Sequence, residues 1–200
     1  VIGMKSRLSI LTQLISETPG QLQAILRSLQ DQGFVSRSRL DNEEYVQFHH
    51  VLTQEVVCSS LLSETRSMLH ERIADAMVAY HGDLVHEILP ELAHHYHNSG
   101  NDQKAVEYLR RAGESAIQQS AHPEAQNYLK QGLSRLEYNP QIKDALIHLS
   151  HLWLSLGVSL QVTLGYTSME VKKAYEEAIR YSEKAGHSDC LFAALRGHAL

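Results

Sequence analysis

The stretch FHHVLTQEVVCSSLL, residues 48–62, marks the point where a strand pattern gives way to a helical pattern. Tyr45, Val46 and Phe48 are typical of a strand, whereas the residues after His50 have helical spacing. His50 therefore falls at the start of a helix, where unpaired N–H groups and a partial positive charge suit an anion. A histidine that only caps the helix or packs at a domain seam is the alternative interpretation.

The residues on either side of the 48–62 stretch predict a small winged-helix domain. The expected elements precede the stretch and are a helix over 6–15, a capped helix over 19–32, and two strands, 34–38 and 45–48, joined by a turn at 41–42. Helices continue after the stretch until His81-Gly82-Asp83 interrupts the pattern. We therefore place a domain boundary there and expect a winged-helix domain with trailing helices over 1–83.

Residues 84–200 read as paired helices, which predicts an α-α superhelical array of tetratricopeptide-like (TPR-like) repeats. A tyrosine, a turn glycine and two small alanines occupy the offsets of that repeat, at Tyr96, Gly100, Ala105 and Ala112, with Leu109 between the alanines and Leu89 at the signature tryptophan position. Further expected copies are a shortened one over 123–137, a helix pair over 142–164 and 168–185, and a helix over 189–200. Because each pair needs a neighbour to bury its face, we expect the array to continue beyond Leu200. The fold class expected from the sequence is mainly α.

Composition and charge argue against several classes of protein. The net charge of −5 is spread evenly, which argues against strong binding to nucleic acid or anionic membranes. No secretory signal is visible, and no apolar run reaches the roughly 18 residues expected of a membrane span. Cys58 and Cys190 fit reduced thiols in a cytoplasmic protein. Because the chain begins at Val1 without an initiator Met, we expect a segment of a longer protein.

Motifs of catalysis and metal binding are missing from the sequence. It contains no phosphate loop, no G-x-G-x-x-G and no C-x-x-C. Thirteen histidines include close pairs, such as His94 with His97 and His148 with His151, but none has the spacing of a zinc site. We therefore expect no catalytic residue, no metal and no cofactor bound by this chain alone.

Two interaction surfaces follow from the expected domains. The concave face of the repeats, which we expect His95, Tyr96 and Tyr128 to line, would receive a protein or peptide. The helix over 19–32 would be the DNA-recognition helix of a transcriptional regulator, but few cations accompany it. A DNA-binding winged-helix regulator and a plain TPR scaffold remain the alternatives to a regulatory segment.

The chain resembles the winged-helix end of bacterial multidomain signal-transduction ATPases of the AAA/STAND type, often fused to an adenylate/guanylate cyclase domain. The resemblance rests on sets of residues along nearly the whole chain: Val1-Ile2-Gly3, residues 48–56 and 60–62, Arg66, residues 69–74, 92–96 and 105–113, Gly165-Tyr166, Val171, Ala174-Tyr175 and Ala178. As a set these motifs are moderately specific, and singly they are weak.

The resemblance implies that an upstream nucleotide-binding domain holds ATP or ADP and that the winged helix folds back over it. A histidine at the start of the helix after the wing touches the nucleotide's phosphates in related switches, and His50 matches that position. His49 is the candidate if the register differs by one residue. The repeats would bind a ligand or partner, or restrain the switch, without catalysis in this segment.

Overall fold

The computed structural model describes residues 3–15 and 18–198. It is mainly helical with a small antiparallel sheet near its start, which confirms the expected mainly α class. Val1 and Ile2 of the resemblance, and the last two residues of the helix expected over 189–200, lie outside the described residues. The chain divides into two compact units, Val1–Val85 with Asn98–Gly100, and His86–His97 with Asn101–Leu200.

The first unit combines helices with a three-stranded sheet. Its elements are β1 (Lys5–Arg7), α1 (Leu8–Leu14), α2 (Pro19–Asp31), β2 (Val35–Leu40), β3 (Glu43–Phe48), α3 (Val51–Ser60) and α4 (Ser63–His81). The strand order is β1-β3-β2, with Val46 of the central strand opposite Ser6 on one side and Arg37 on the other.

One element at the start of the first unit corrects the sequence prediction. The helix expected over 6–15 begins only at Leu8, because Lys5–Arg7 forms a strand paired with β3. A three-residue edge strand has no periodic pattern of its own, and its partner lies about 40 positions away in the sequence.

Two local signals of the first unit are confirmed. Thr18 caps α2 in a reciprocal capping box: the Gln21 N–H donates to Thr18 Oγ1 at 3.4 Å, and the Thr18 N–H donates to Gln21 Oε1 at 2.9 Å. Asp41 and Asn42 have positive φ angles of 50° and 66°, as a two-residue hairpin turn between β2 and β3 requires. Both elements are therefore determined by residues close together in the sequence.

The second unit is built from consecutive helices, each packed on the next. They are α5 (Leu89–His97), α6 (Asp102–Gln118), α7 (His122–Tyr138), α8 (Ala145–Leu164), α9 (Met169–Ala185) and α10 (Ser188–His198). A 3-10 helix, Gly82–Ile88, precedes α5. In addition, α8 packs against α6, and α10 packs against α8. The even-numbered helices thus form a continuous row.

The pairing of these helices differs from the sequence prediction at α7. The region 123–137 was expected to be a shortened copy, but α7 is a 17-residue helix that packs on both α6 and α8. α6 therefore serves as a partner for α5 and for α7. Spacing along the chain cannot reveal this shared role, because it depends on which face of α6 each neighbour covers.

The core of the second unit contains close helix contacts at glycines. Gly113 of α6 lies against the fully buried Leu129 of α7, where an added Cβ would come within 2.7 Å of Leu129 Cγ. Tyr175 of α9 lies against Gly157 of α8 and Gly197 of α10. Its hydroxyl donates to Gln161 Oε1 at 2.6 Å, and burial raises the pKa of this phenol.

Helix α8 is long and apolar enough to cross a membrane by length and composition, with a mean hydropathy of 1.3. It is not an unbroken apolar run, because it contains polar residues such as His148, His151 and Gln161. Core helices of soluble proteins can have the same length and apolar composition. In this chain α8 packs against α6, α7, α9 and α10. The described residues are therefore compatible with a soluble protein.

Candidate functional site

The structure places His50 at the start of α3, where the sequence predicted it. His50 is the N-cap residue, with an extended backbone (φ −131°, ψ 132°), and its side chain makes no capping hydrogen bond. The side chains of His49 and His50 are both exposed, with ring centroids 6.5 Å apart. The His49 N–H donates to the carbonyl of Phe34 at 3.0 Å and so ties the junction to the start of β2.

This junction has the hydrogen-bond donors of an anion site but no surface that would enclose the anion. An exposed imidazole stands beside the free N–H groups of a helix start, a combination that suits a phosphate oxygen. The histidines are exposed, so a second surface would be needed to exclude water from a bound anion. The site is therefore, at most, half of a binding site.

Helix α3 exposes an apolar surface that sequence reasoning missed. None of its residues is buried, and four aliphatic side chains are exposed: Val51 at 52%, Leu52 at 73%, Val56 at 65% and Val57 at 49%. Glu55 is the only charged residue between positions 51 and 62. That scarcity of charge was the signal available in the sequence, because a free surface helix normally carries a polar face.

An apolar cavity of about 340 Å³ lies in the first unit beside the end of α3. Its walls come from α1, α2, the sheet and α4, and among the residues that the structure describes Ser6 is the only polar one in the lining. The lining residues are Ser6, Leu11, Leu14, Ile15, Leu26, Leu29, Val35, Val46, Phe48, Leu61, Leu69 and Ile73. Exposed apolar helices and open apolar cavities are characteristic of surfaces that another element covers.

The structure corrects the partner-binding face that was predicted for the expected repeats. Tyr96 is 2% exposed and His95 is 6% exposed, so neither presents a surface to a partner. Tyr96 instead stacks on Tyr108 of α6, with ring centroids 4.6 Å apart. Tyr128 is half-buried, and burial, aided by Glu91 and Glu124, raises the pKa of its hydroxyl.

A polar pocket of about 570 Å³ lies nearby in the second unit, at the ends of α5 and α7. Arg135 Nη1 donates to Asp102 Oδ1 at 2.5 Å, and its other terminal nitrogen donates to the carbonyl of His97. Asn139 Nδ2 donates to the second oxygen of Asp102 at 3.3 Å. Because Arg135 already has these partners, the pocket has little free charge with which to select a ligand.

Potential DNA contacts on the first unit are partly neutralised. Arg37 on β2 donates to Gln23 of α2 and forms an ion pair with Glu44 of β3, each at 2.7 Å. Arg39 lies within 3.5 Å of Asn42. An arginine held by a carboxylate has less charge to offer a phosphate backbone, so these contacts weigh against the DNA-binding alternative.

The histidines do not assemble into a metal centre in the part of the chain that the structure describes, where no group of three or more His, Cys, Asp or Glu residues could hold a metal ion. His94 packs edge-on against His95, with centroids 5.5 Å apart, and His151 packs in the same way against His187 at 5.0 Å. Such pairs have aromatic contact geometry rather than convergent nitrogen ligands.

Comparison with known proteins gives one distant similarity. No protein-family model matches the chain, and no solved structure matches it. Over 163 residues, 81% of this chain, it is 28% identical to an uncharacterized protein of Rhizobium meliloti (strain 1021). The chain spans about 16% of the length of that relative, which is therefore several times longer.

Proposed function

We propose that this chain is a non-catalytic regulatory and interaction segment of a larger cytoplasmic signalling ATPase. Its first unit would be a winged helix that covers an upstream domain holding ATP or ADP, with a nucleotide cyclase as one output domain for the whole protein. Its second unit would be a TPR-like array that binds a protein or peptide. The observation that carries the proposal is the exposed aliphatic surface of α3, which directly follows His50.

The topology of the first unit supports the winged-helix part. β1 precedes two helices, and β2 and β3 form a hairpin on which β1 completes the sheet. In the second unit, consecutive helices packed in turn, with a continuous row of even-numbered helices, support a repeat array. The similarity to part of a much longer protein supports a multidomain parent.

The chemistry of the junction supports contact with another domain. Burying the aliphatic side chains of α3 under a neighbouring domain would bring that domain's surface up to His50 at the helix start. His50 would then donate to a phosphate oxygen with help from the helix N-terminus. Loss of the phosphate would remove this contact and release the first unit, a two-state switch.

The experiment uses the longer protein that contains this chain and measures the nucleotide that co-purifies with it. Val56→Glu on α3 is expected to lower the retained ADP several-fold, because a charged side chain cannot be buried against the nucleotide-binding domain without cost. Val162→Glu on α8 is the matched control, since Val162 is similarly exposed at 62%. Equal nucleotide occupancy in the two variants and the parent would contradict the proposal.

A second variant tests the role of His50 independently of the aliphatic surface of α3. His50→Asn keeps a good N-cap residue but removes the imidazole. We expect weakened ADP retention or raised basal ATPase activity in the longer protein. Unchanged nucleotide occupancy together with unchanged activity would show that His50 only starts the helix.

A further inference from the structure

His187 joins α9 to α10 through both its backbone and its ring. Its N–H donates to the carbonyl of Ser182 at 3.0 Å, which closes α9 after Gly186 turns the chain at φ 66°. Its Nδ1 accepts the N–H of Cys190 at 3.3 Å, in the first turn of α10. One side chain therefore acts as the N-cap of α10 at the point where α9 ends.

This capping role requires a neutral ring. When Nδ1 accepts a hydrogen bond, the ring proton must lie on Nε2. A second proton on Nδ1 would remove the acceptor and leave the Cys190 N–H without its capping partner. The imidazolium would also stand at the positive end of the α10 dipole, where a cation is unfavourable.

A second imidazole, that of His151, is in contact with the ring of His187. His151 of α8 packs edge-on against His187, with ring centroids 5.0 Å apart. Burial, followed by Arg110 of α6, lowers the pKa of His151, and the charges of His187 and His148 act in the same direction. Glu114 of α6 partly opposes them.

Other charged groups around α10 have different effects. His198, near the end of α10, lies 3.8 Å from Glu176 of α9, and protonation would strengthen this pair. Asp189 lies in the first turn of α10, where a carboxylate is favourable at any pH that keeps it ionised. Neither group reproduces the effect of protonating Nδ1 of His187.

We propose that the docking of α10 depends on the protonation of one ring: a second proton on His187 breaks the cap and releases the start of α10 from α8 and α9. The release would uncover Cys190, which is 3% exposed in the docked helix. The cap at His187 would therefore control a two-state element at this end of the second unit.

The accessibility of the Cys190 thiol reports whether the start of α10 is docked. In a Cys58→Ser chain, the rate at which 4,4′-dithiodipyridine labels Cys190 is measured from pH 8 to pH 5.5. Each rate is divided by the rate for glutathione at the same pH, because the thiolate fraction itself depends on pH. We expect the normalised rate to rise about tenfold, the scale for losing an N-cap while placing a cation at a helix start.

His187→Asn, added to the Cys58→Ser chain, is the matched control because asparagine is a good N-cap that does not titrate. Its normalised labelling rate should rise several-fold less than that of the Cys58→Ser chain, the remaining rise coming from His148 and His151. His187→Ser replaces it if Trp153 fluorescence shows that the asparagine variant is unfolded at pH 8. An equal rise with and without His187, or no rise in the Cys58→Ser chain, overturns the proposal.

A further variant tests the other titrating contact of α10. His198→Gln removes the pair with Glu176 and leaves the cap intact, so the acid-dependent rise should persist. Loss of the rise in this variant would assign the pH response to the far end of the helix and contradict the role of His187.

Discussion

Substituting Gly113 with alanine would force a methyl group into the contact between α6 and α7. The new Cβ would lie 2.7 Å from Cγ and 2.8 Å from Cδ2 of Leu129, closer than carbon atoms approach without displacement. Leu129 is fully buried, so it has no open space into which to move. Overpacking of this kind costs about 1–3 kcal/mol.

Helix propensity opposes this cost and must be subtracted from it. Replacing glycine with alanine inside a helix stabilises it by about 1 kcal/mol. The expected net effect of Gly113→Ala is therefore a loss of about 1 kcal/mol in the free energy of unfolding. With a urea dependence of about 2 kcal/mol/M, the unfolding midpoint should fall by about 0.5 M.

Trp153 makes the assay specific to the second unit. It is the single tryptophan of the sequence and packs against the buried cluster that contains Leu129. Its fluorescence during urea titration therefore follows the unit in which Gly113 lies. Gly132→Ala offers a graded comparison: its new Cβ would lie 3.0 Å from Leu152 Cδ2, so we expect a smaller loss.

A double-mutant cycle tests the cause directly. Leu129→Ala alone should cost about 2–5 kcal/mol because it empties a packed position. In that background the clashing atoms are gone, so Gly113→Ala should stabilise by about 1 kcal/mol. The two substitutions should therefore couple by about 2 kcal/mol. A higher midpoint for Gly113→Ala in the parent chain, or coupling below about 0.5 kcal/mol, would refute the reasoning.

Three further outcomes follow from contacts already described. Tyr175→Phe should lower the Trp153-monitored free energy of unfolding by about 1 kcal/mol, because it removes the hydrogen bond to Gln161. Thr18→Ala should destabilise the first unit by about 1 kcal/mol through loss of the capping box, measured by circular dichroism during thermal unfolding. Burial and Arg110 lower the pKa of His148 and of His151. Because the pKa of each histidine is lower in the folded state, the unfolded chain, with a histidine pKa of about 6.5, binds protons first as the pH falls. The free energy of unfolding is therefore highest above that pH and decreases as the pH falls through the folded-state pKa values. The urea midpoint should thus fall between pH 7 and pH 5, and less so in a variant with glutamine at both positions.

Local signals in the sequence predicted the elements that depend on neighbouring residues. The capping box at Thr18, the turn at 41–42 and the helix start at His50 each depend on a few adjacent residues, and each is present. The strand Lys5–Arg7 was missed because it exists only through pairing with distant β3. Non-local pairing leaves no trace in so short a window.

The expected binding face shows a second limit of prediction from sequence patterns. Tyr96 lies on the same apolar stripe of α5 as Leu89 and Leu92, and helical periodicity places such a stripe against the core. Assigning Tyr96 also to an open groove followed from the expected repeat domain rather than from the spacing within α5. The aliphatic surface of α3 was missed for the opposite reason, since an apolar helix is normally taken to be buried.

That surface of α3 has a practical consequence for handling the protein. Exposed aliphatic side chains on a helix that packs little against its own unit promote self-association when the protein is concentrated. A chain carrying glutamate at Leu52 and Val56 should keep its fold, because both side chains point into water, and should remain monodisperse at higher concentration. Such a variant is the natural sample for crystallisation or nuclear magnetic resonance of this chain on its own.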